Sequence, residues 1–154
     1  MNLMPLLMFL HLVAVVVWVG GMFFAYLCLR PVAAALLPPP QRLALWAGVL
    51  GRFFPWVWLA VALILSSGMS MIEVIGWRSA PLHWHLMLTI GIVMMMIFAH
   101  LYFAPYRRLG RAVAAADWPG AASALNQIRK MVAINLALGV TTIAIASLGA
   151  YLAH

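Results

Sequence analysis

Histidine and methionine are the residue types here that could do chemistry: the chain of 154 residues holds 5 and 11 of them. His11 stands inside "FLHLVAVVVWVGGMFF", His83 and His85 flank Trp84 at the head of a second apolar run, His100 lies toward the end of that run, and His154 ends the chain. An ionisable side chain inside a membrane costs free energy, so by default it faces protein or a cavity. Neutral imidazole is a common metal ligand. Two imidazoles from facing helices can hold a haem between them. Along a helix, His100 lies about 22 Å beyond His85 and about 60° around the axis, so both can face one side. His83 points almost opposite to His85.

Thioethers offer a second chemistry. Met1, Met4, Met8, Met69, Met71 and Met87 fall in one half of the predicted membrane layer. Soft sulfur with imidazole suits Cu(I). Met8 and His11 are one helical turn apart, as are His83 and Met87. Methionine is also an ordinary filler of apolar cores, and Met94–Met96 points in three directions, as packing residues do. Met4, Met8, His11, Val15, Trp18 and Met22 repeat at alternating steps of four and three, which makes a seam for a neighbouring helix. Gly20 and Gly21 beside it allow a helix or a flat ligand to come close.

The elements that must position these groups follow from composition. Hydrophobic residues make up 68% of the chain and charged residues 7%, too little polar surface for a domain in water. Four apolar runs reach the length of about 20 residues that a spanning helix needs: approximately 4–29, 55–75, 82–104 and 131–152. Nothing alternates as barrel strands would. The reading is an all-α, polytopic four-helix bundle forming a single integral membrane domain, 1–154. The first run has no basic residue ahead of it and is too long for a signal core, so it counts as a retained span. Arg30, Arg42 and Arg52 lie between spans one and two, and Arg107, Arg108, Arg111, Arg129 and Lys130 between spans three and four. Only Arg78 lies between spans two and three. By the positive-inside rule both termini are outside, periplasmic in a bacterial inner membrane. His11, His83, His85 and His154 then sit toward the outer face.

Between spans one and two, Pro38–Pro40 predicts a stiff break, Arg42–Gly51 a short interfacial helix, and Pro55 the opening of span two. Between spans three and four, alanine content predicts a cytoplasmic helical hairpin, with Asp117 capping its second arm and Pro119 in the first turn. Trp56, Trp58, Trp77 and Trp84 read as an interfacial aromatic belt. Glu73 is expected to pair with Arg78. Asn135, Thr141, Thr142 and Ser147 are expected to hydrogen-bond between helices.

Several function classes drop out. The net charge of +7 suggests nucleic acid, but the basic residues gather at helix ends, so the partner is the lipid bilayer. Cys28 is the only cysteine, which excludes an internal disulfide and any zinc finger or iron–sulfur cluster held by this chain alone. There is no carboxylate pair, phosphate loop, Ser-His-Asp arrangement or dinucleotide fingerprint. Any enzymatic activity would be that of a membrane oxidoreductase using a bound haem. A redox protein or a quinone would exchange electrons with it, and homo-oligomerisation stays open.

The segment "FLHLVAVVVWVGGMFFAYLCLRP" resembles the first helix of the copper-resistance protein D (CopD) family. "GRFFPWVWLAVALILSSGM" is similar to that family's second segment and "IRKMVAINLALGVTTIAIA" to its closing helix in short members. His11, Trp18, Gly20, Gly21, Arg129, Asn135 and Gly139 carry most of the likeness. The chain also resembles the related HemJ-type four-helix proteins, which bind haem b; there the histidine of helix 1 corresponds to His11 and a basic residue leaving that helix to Arg30. The lysine which that family carries in helix 3 is missing, as is its histidine soon after the helix 1 arginine; helix 3 offers His85 and His100. The resemblance therefore implies haem binding rather than oxidase activity. Two expectations result. One is haem b held by His11 and either His85 or His100, with Trp18, Gly20 and Gly21 beside it and, for a haem low near His100, Arg30, Arg107 and Arg108 pairing with its propionates. The other is Cu(I) held by Met8, His11, His83 and Met87, with His85 in reserve. A structural subunit or assembly factor is the third reading.

Overall fold

With so few charged residues in lipid, the backbone must satisfy its own hydrogen bonds, and it does so as helices. The computed structural model describes residues 3–152; Met1 and His154 lie outside them. Helix α1 spans Met4–Leu36, α2 Pro39–Ile75, α3 Leu82–Ala114 and α4 Trp118–Leu152. No strand occurs among the described residues. All four helices are long and apolar enough to cross a membrane. Helices α1 and α3 would each measure about 50 Å, against a hydrocarbon core of about 30 Å, so they run past it.

The chain goes up and down. Helix α1 packs along α2, and α3 along α4. The start of α1, residues 76–81 and the end of α4 share one end of the bundle, called here the histidine end. Residues 37–38 and the turn at 115–117 share the other, the arginine end. Helices α1 and α3 stand at opposite corners, and their side chains meet in the core: the Trp18 and Phe98 rings are 6.0 Å apart, edge to face. Phe98 continues to Phe54 at 5.4 Å and Trp58 at 5.0 Å, and Phe54 to Tyr106 at 4.8 Å. Such edge-to-face pairs add about 0.5–1.5 kcal/mol each beyond burial. Many apolar side chains outside this core are exposed, Val16, Leu36, Leu82 and Leu148 among them, as lipid-facing positions should be.

The connection between spans one and two differs from expectation. Pro38 is extended, Pro39 and Pro40 enter the first turn, and one helix then runs unbroken through Arg42–Gly51 and Pro55. The supposed interfacial segment is part of the bundle because Leu43, Trp46 and Leu50 form a buried stripe. Pro55 forfeits one backbone bond, and burial of Phe54, Val57 and Ala60 on either side holds the helix together. The second hairpin is helical and capped by Asp117 as expected: α3 reverses over residues 115–117, with Ala116 at φ 53°, and Asp117 Oδ1 accepts the Gly120 N–H at 3.0 Å. Leu109 and Ala121 close this hairpin, both fully buried.

Three π-helical turns interrupt the regular helices, at Val16–Gly20, Phe24–Leu29 and Tyr102–Tyr106. The second precedes Pro31 and the third contains Pro105, so the wider turn falls where a proline removes a donor. The first has no proline and carries Trp18 and Val19, both buried.

Among the described residues no ion pair joins Glu73 and Arg78. Thr141, Thr142 and Ser147 bond to carbonyls of their own helix, at Ala137, Leu138 and Ile143, because a hydroxyl can return to the preceding turn without a neighbour. Asn135 does bridge helices: its Nδ2 donates to the Met94 carbonyl at 3.1 Å.

Candidate functional site

His11 is half-buried in the third turn of α1 and reaches α2. Its Nδ1 lies 2.9 Å from Ser67 Oγ. Ser67 is 2% exposed, and its hydroxyl donates to the Leu63 carbonyl one turn back. A carbonyl can only accept. With the hydroxyl proton on that carbonyl, the imidazole donates from Nδ1 and Nε2 keeps the lone pair with which a neutral imidazole binds a metal; with the hydroxyl proton turned to Nδ1, the two ring nitrogens exchange roles. Gly68 lies beside the ring: a Cβ there would stand 3.4 Å from His11 Cε1, an ordinary contact.

His11 lines a cavity of about 390 Å³ at the histidine end. His83 lines the same cavity from α3. Sulfur joins them from Met8 on α1, Met71 on α2, and Met87, Met94 and Met95 on α3. Helix α4 contributes Gly139, Thr142, Ile143 and Ala146. Its glycines permit the close approach. A Cβ on Gly149 would fall 2.6 Å from His83 Cβ, and one on Gly139 would fall 2.9 Å from Val19 Cγ2.

The residues singled out from sequence divide between this cavity and other places. His11, His83, Met8 and Met87 line this one cavity, although Met8 is 48% exposed. His85 does not line the cavity; its ring lies against Trp77 at 6.1 Å. His100 is exposed on the outside of the bundle. Trp18 is buried and forms part of the cavity wall. Gly21 admits the Phe53 ring, since a Cβ there would meet Phe53 Cζ at 2.3 Å, whereas Gly20 has nothing within 4 Å and is exposed. Arg30 lies at the far end, its guanidinium 5.1 Å above the Tyr26 ring. Trp84 lines the cavity rather than a headgroup belt alone. Sequence reasoning missed Ser67, Gly68 and Gly149; the signal available was "SSG" in the middle of an apolar run, polar and small residues opposite a histidine at similar depth.

Among the described residues no three histidine, cysteine, aspartate or glutamate side chains gather into a metal-binding group. The donor set is thus imidazole plus thioether, which disfavours hard cations and suits Cu(I).

Four helices long and apolar enough to cross a membrane define a multi-pass membrane protein. A model of the family described as copper resistance protein D (CopD) matches residues 47–148. That is well over half of the chain, and the chain belongs to this family. The match begins within α2, so His11 and the rest of α1 lie outside it. No curated protein and no solved structure matches the chain.

Proposed function

We propose that this CopD-family protein takes up Cu(I) in the histidine-end cavity, as part of copper handling in a bacterial inner membrane. One observation carries the reading. His11 and His83, from helices at opposite corners, line a single cavity together with five methionines. The Ser67 contact supports it further, because it admits the Nδ1–H form of His11, in which Nε2 is the available donor. The family's printed name points to the same metal. Copper is cargo here, moved by exchange of thioether and imidazole ligands with no change of oxidation state. By the positive-inside rule the cavity end faces outward, so the metal enters from the periplasmic side. Trp18 closes the inner wall, and onward passage requires that ring to turn.

The test is titration of detergent-purified protein with Cu(I) against a coloured chelator. The parent is expected to bind one Cu(I), and a His11→Ala/His83→Ala variant to bind at least about tenfold more weakly. Equal affinity in the two proteins would overturn the proposal. Two imidazoles on one cavity also keep the haem b reading, with His83 in the place foreseen for His85 or His100. An absorption spectrum of the same sample, expressed with ample haem, separates the two. A Soret band that His11→Ala abolishes would replace copper by haem.

A further inference from the structure

A second cavity, of about 610 Å³, occupies the arginine end. Trp18 lines both cavities, so it stands between them. The walls of the second are apolar, with Trp46, Phe54 and Phe98 among them, but Arg30, Arg42 and Arg129 also line it. The chain has two acidic residues, Glu73 and Asp117, and neither lines this cavity. Three arginines therefore line one apolar space, Arg30 over the Tyr26 ring and Arg129 donating to Asn126 Oδ1, with no carboxylate among the lining residues to balance them.

Asn135 supplies an independent observation. It is 2% exposed and lines the cavity. Its Nδ2 is used on the Met94 carbonyl, while its Oδ1 is buried with no hydrogen-bond partner. An orphaned buried acceptor is costly unless something donates to it. Asn135 lies about 9 Å of helix rise beyond Arg129, well inside the cavity. Marking the interface would explain arginines at helix ends, but it explains neither the cavity nor the unpaired amide.

We propose that this cavity binds an anionic phospholipid of the surrounding bilayer. Arg30, Arg42 and Arg129 hold its phosphate, the aromatic walls take acyl chain, and water carried in with the head group donates to Asn135 Oδ1. The guanidinium fork matches phosphate oxygens, and basic pockets between membrane helices recognise anionic head groups. A zwitterionic lipid would bring a cation into a site already positive.

Delipidated protein in detergent is titrated with phosphatidylglycerol or phosphatidylcholine and weighed intact by native mass spectrometry. One phosphatidylglycerol is expected to stay bound where phosphatidylcholine does not. An Arg30→Gln/Arg42→Gln variant should lose about tenfold in apparent affinity, while Arg52→Gln/Arg78→Gln, outside the cavity, should not. Equal retention of both lipids, or the same loss in both double variants, would overturn the proposal. The parent alone gives a second reading, because Trp18, Trp46 and Trp118 line the cavity. In vesicles, brominated phosphatidylglycerol should quench tryptophan fluorescence more than brominated phosphatidylcholine at equal mole fraction, and equal quenching would contradict it.

Discussion

A single hydroxyl proton decides what His11 can do. Given to the Leu63 carbonyl, the Ser67 proton makes the imidazole Nδ1–H and leaves Nε2 for a ligand; given to Nδ1, it does the reverse. Ser67→Ala removes the acceptor that orients the ring. Copper affinity should then fall about 10–100-fold, the usual effect of losing a partner behind a metal-binding imidazole. Chelator competition measures it, and unchanged affinity would show that Ser67 does not set the tautomer. Gly149 acts on the other imidazole. Its missing Cβ is the space in which His83 Cβ and Cγ lie, so Gly149→Ala should displace His83, weaken Cu(I) binding, and cost about 1–3 kcal/mol as overpacking does. A thermal melt in detergent gives the second number.

At the scale of the helix, two adjacent glycines separate packing from permissiveness. Gly21 faces Phe53 of α2 and Gly20 faces outward. Gly21→Ala forces the Phe53 ring aside and should lower the melting temperature. Gly20→Ala meets nothing and should leave it unchanged or raise it, since alanine is favoured over glycine within a helix by about 0.5–1 kcal/mol. Melting curves of the two variants check the pair, and equal effects would contradict the placement of α1 on α2. The sequence pattern "WVGG" announced a close approach but not which glycine makes it. The π-helical turn at Val16–Gly20 changes the register locally and brings both Trp18 and Val19 inward, where a regular seam puts Trp18 alone. Prolines misled in the opposite direction. Pro55 reads as the start of a helix, yet the buried stripe Leu43, Trp46 and Leu50 extends α2 well before it.

For the whole molecule, four long apolar runs made the helix count and class legible, because lipid leaves the backbone few other ways to pair. The choice between His83 and His85 was not legible. Helix α3 is apolar almost all round, so no hydrophobic face announces its rotation; the rotation is set by packing against α4, where Gly149 accepts His83. The adjacency of α1 and α3 assumed for a two-histidine site was also beyond reach of periodicity, and the bundle places them at opposite corners with Trp18 and Phe98 between. The basic residues predict that the histidine end faces outward. A reporter enzyme active only outside the membrane should work when inserted at residues 77–80 and fail at 115–117, and the reverse would turn the protein over. The central claim is that imidazole and thioether converge on one Cu(I). X-ray absorption at the copper edge of the Cu(I)-loaded protein tests it most directly. The expected result is a shell of mixed nitrogen and sulfur neighbours that loses nitrogen in His11→Ala. A shell without sulfur, or one identical in that variant, would contradict it.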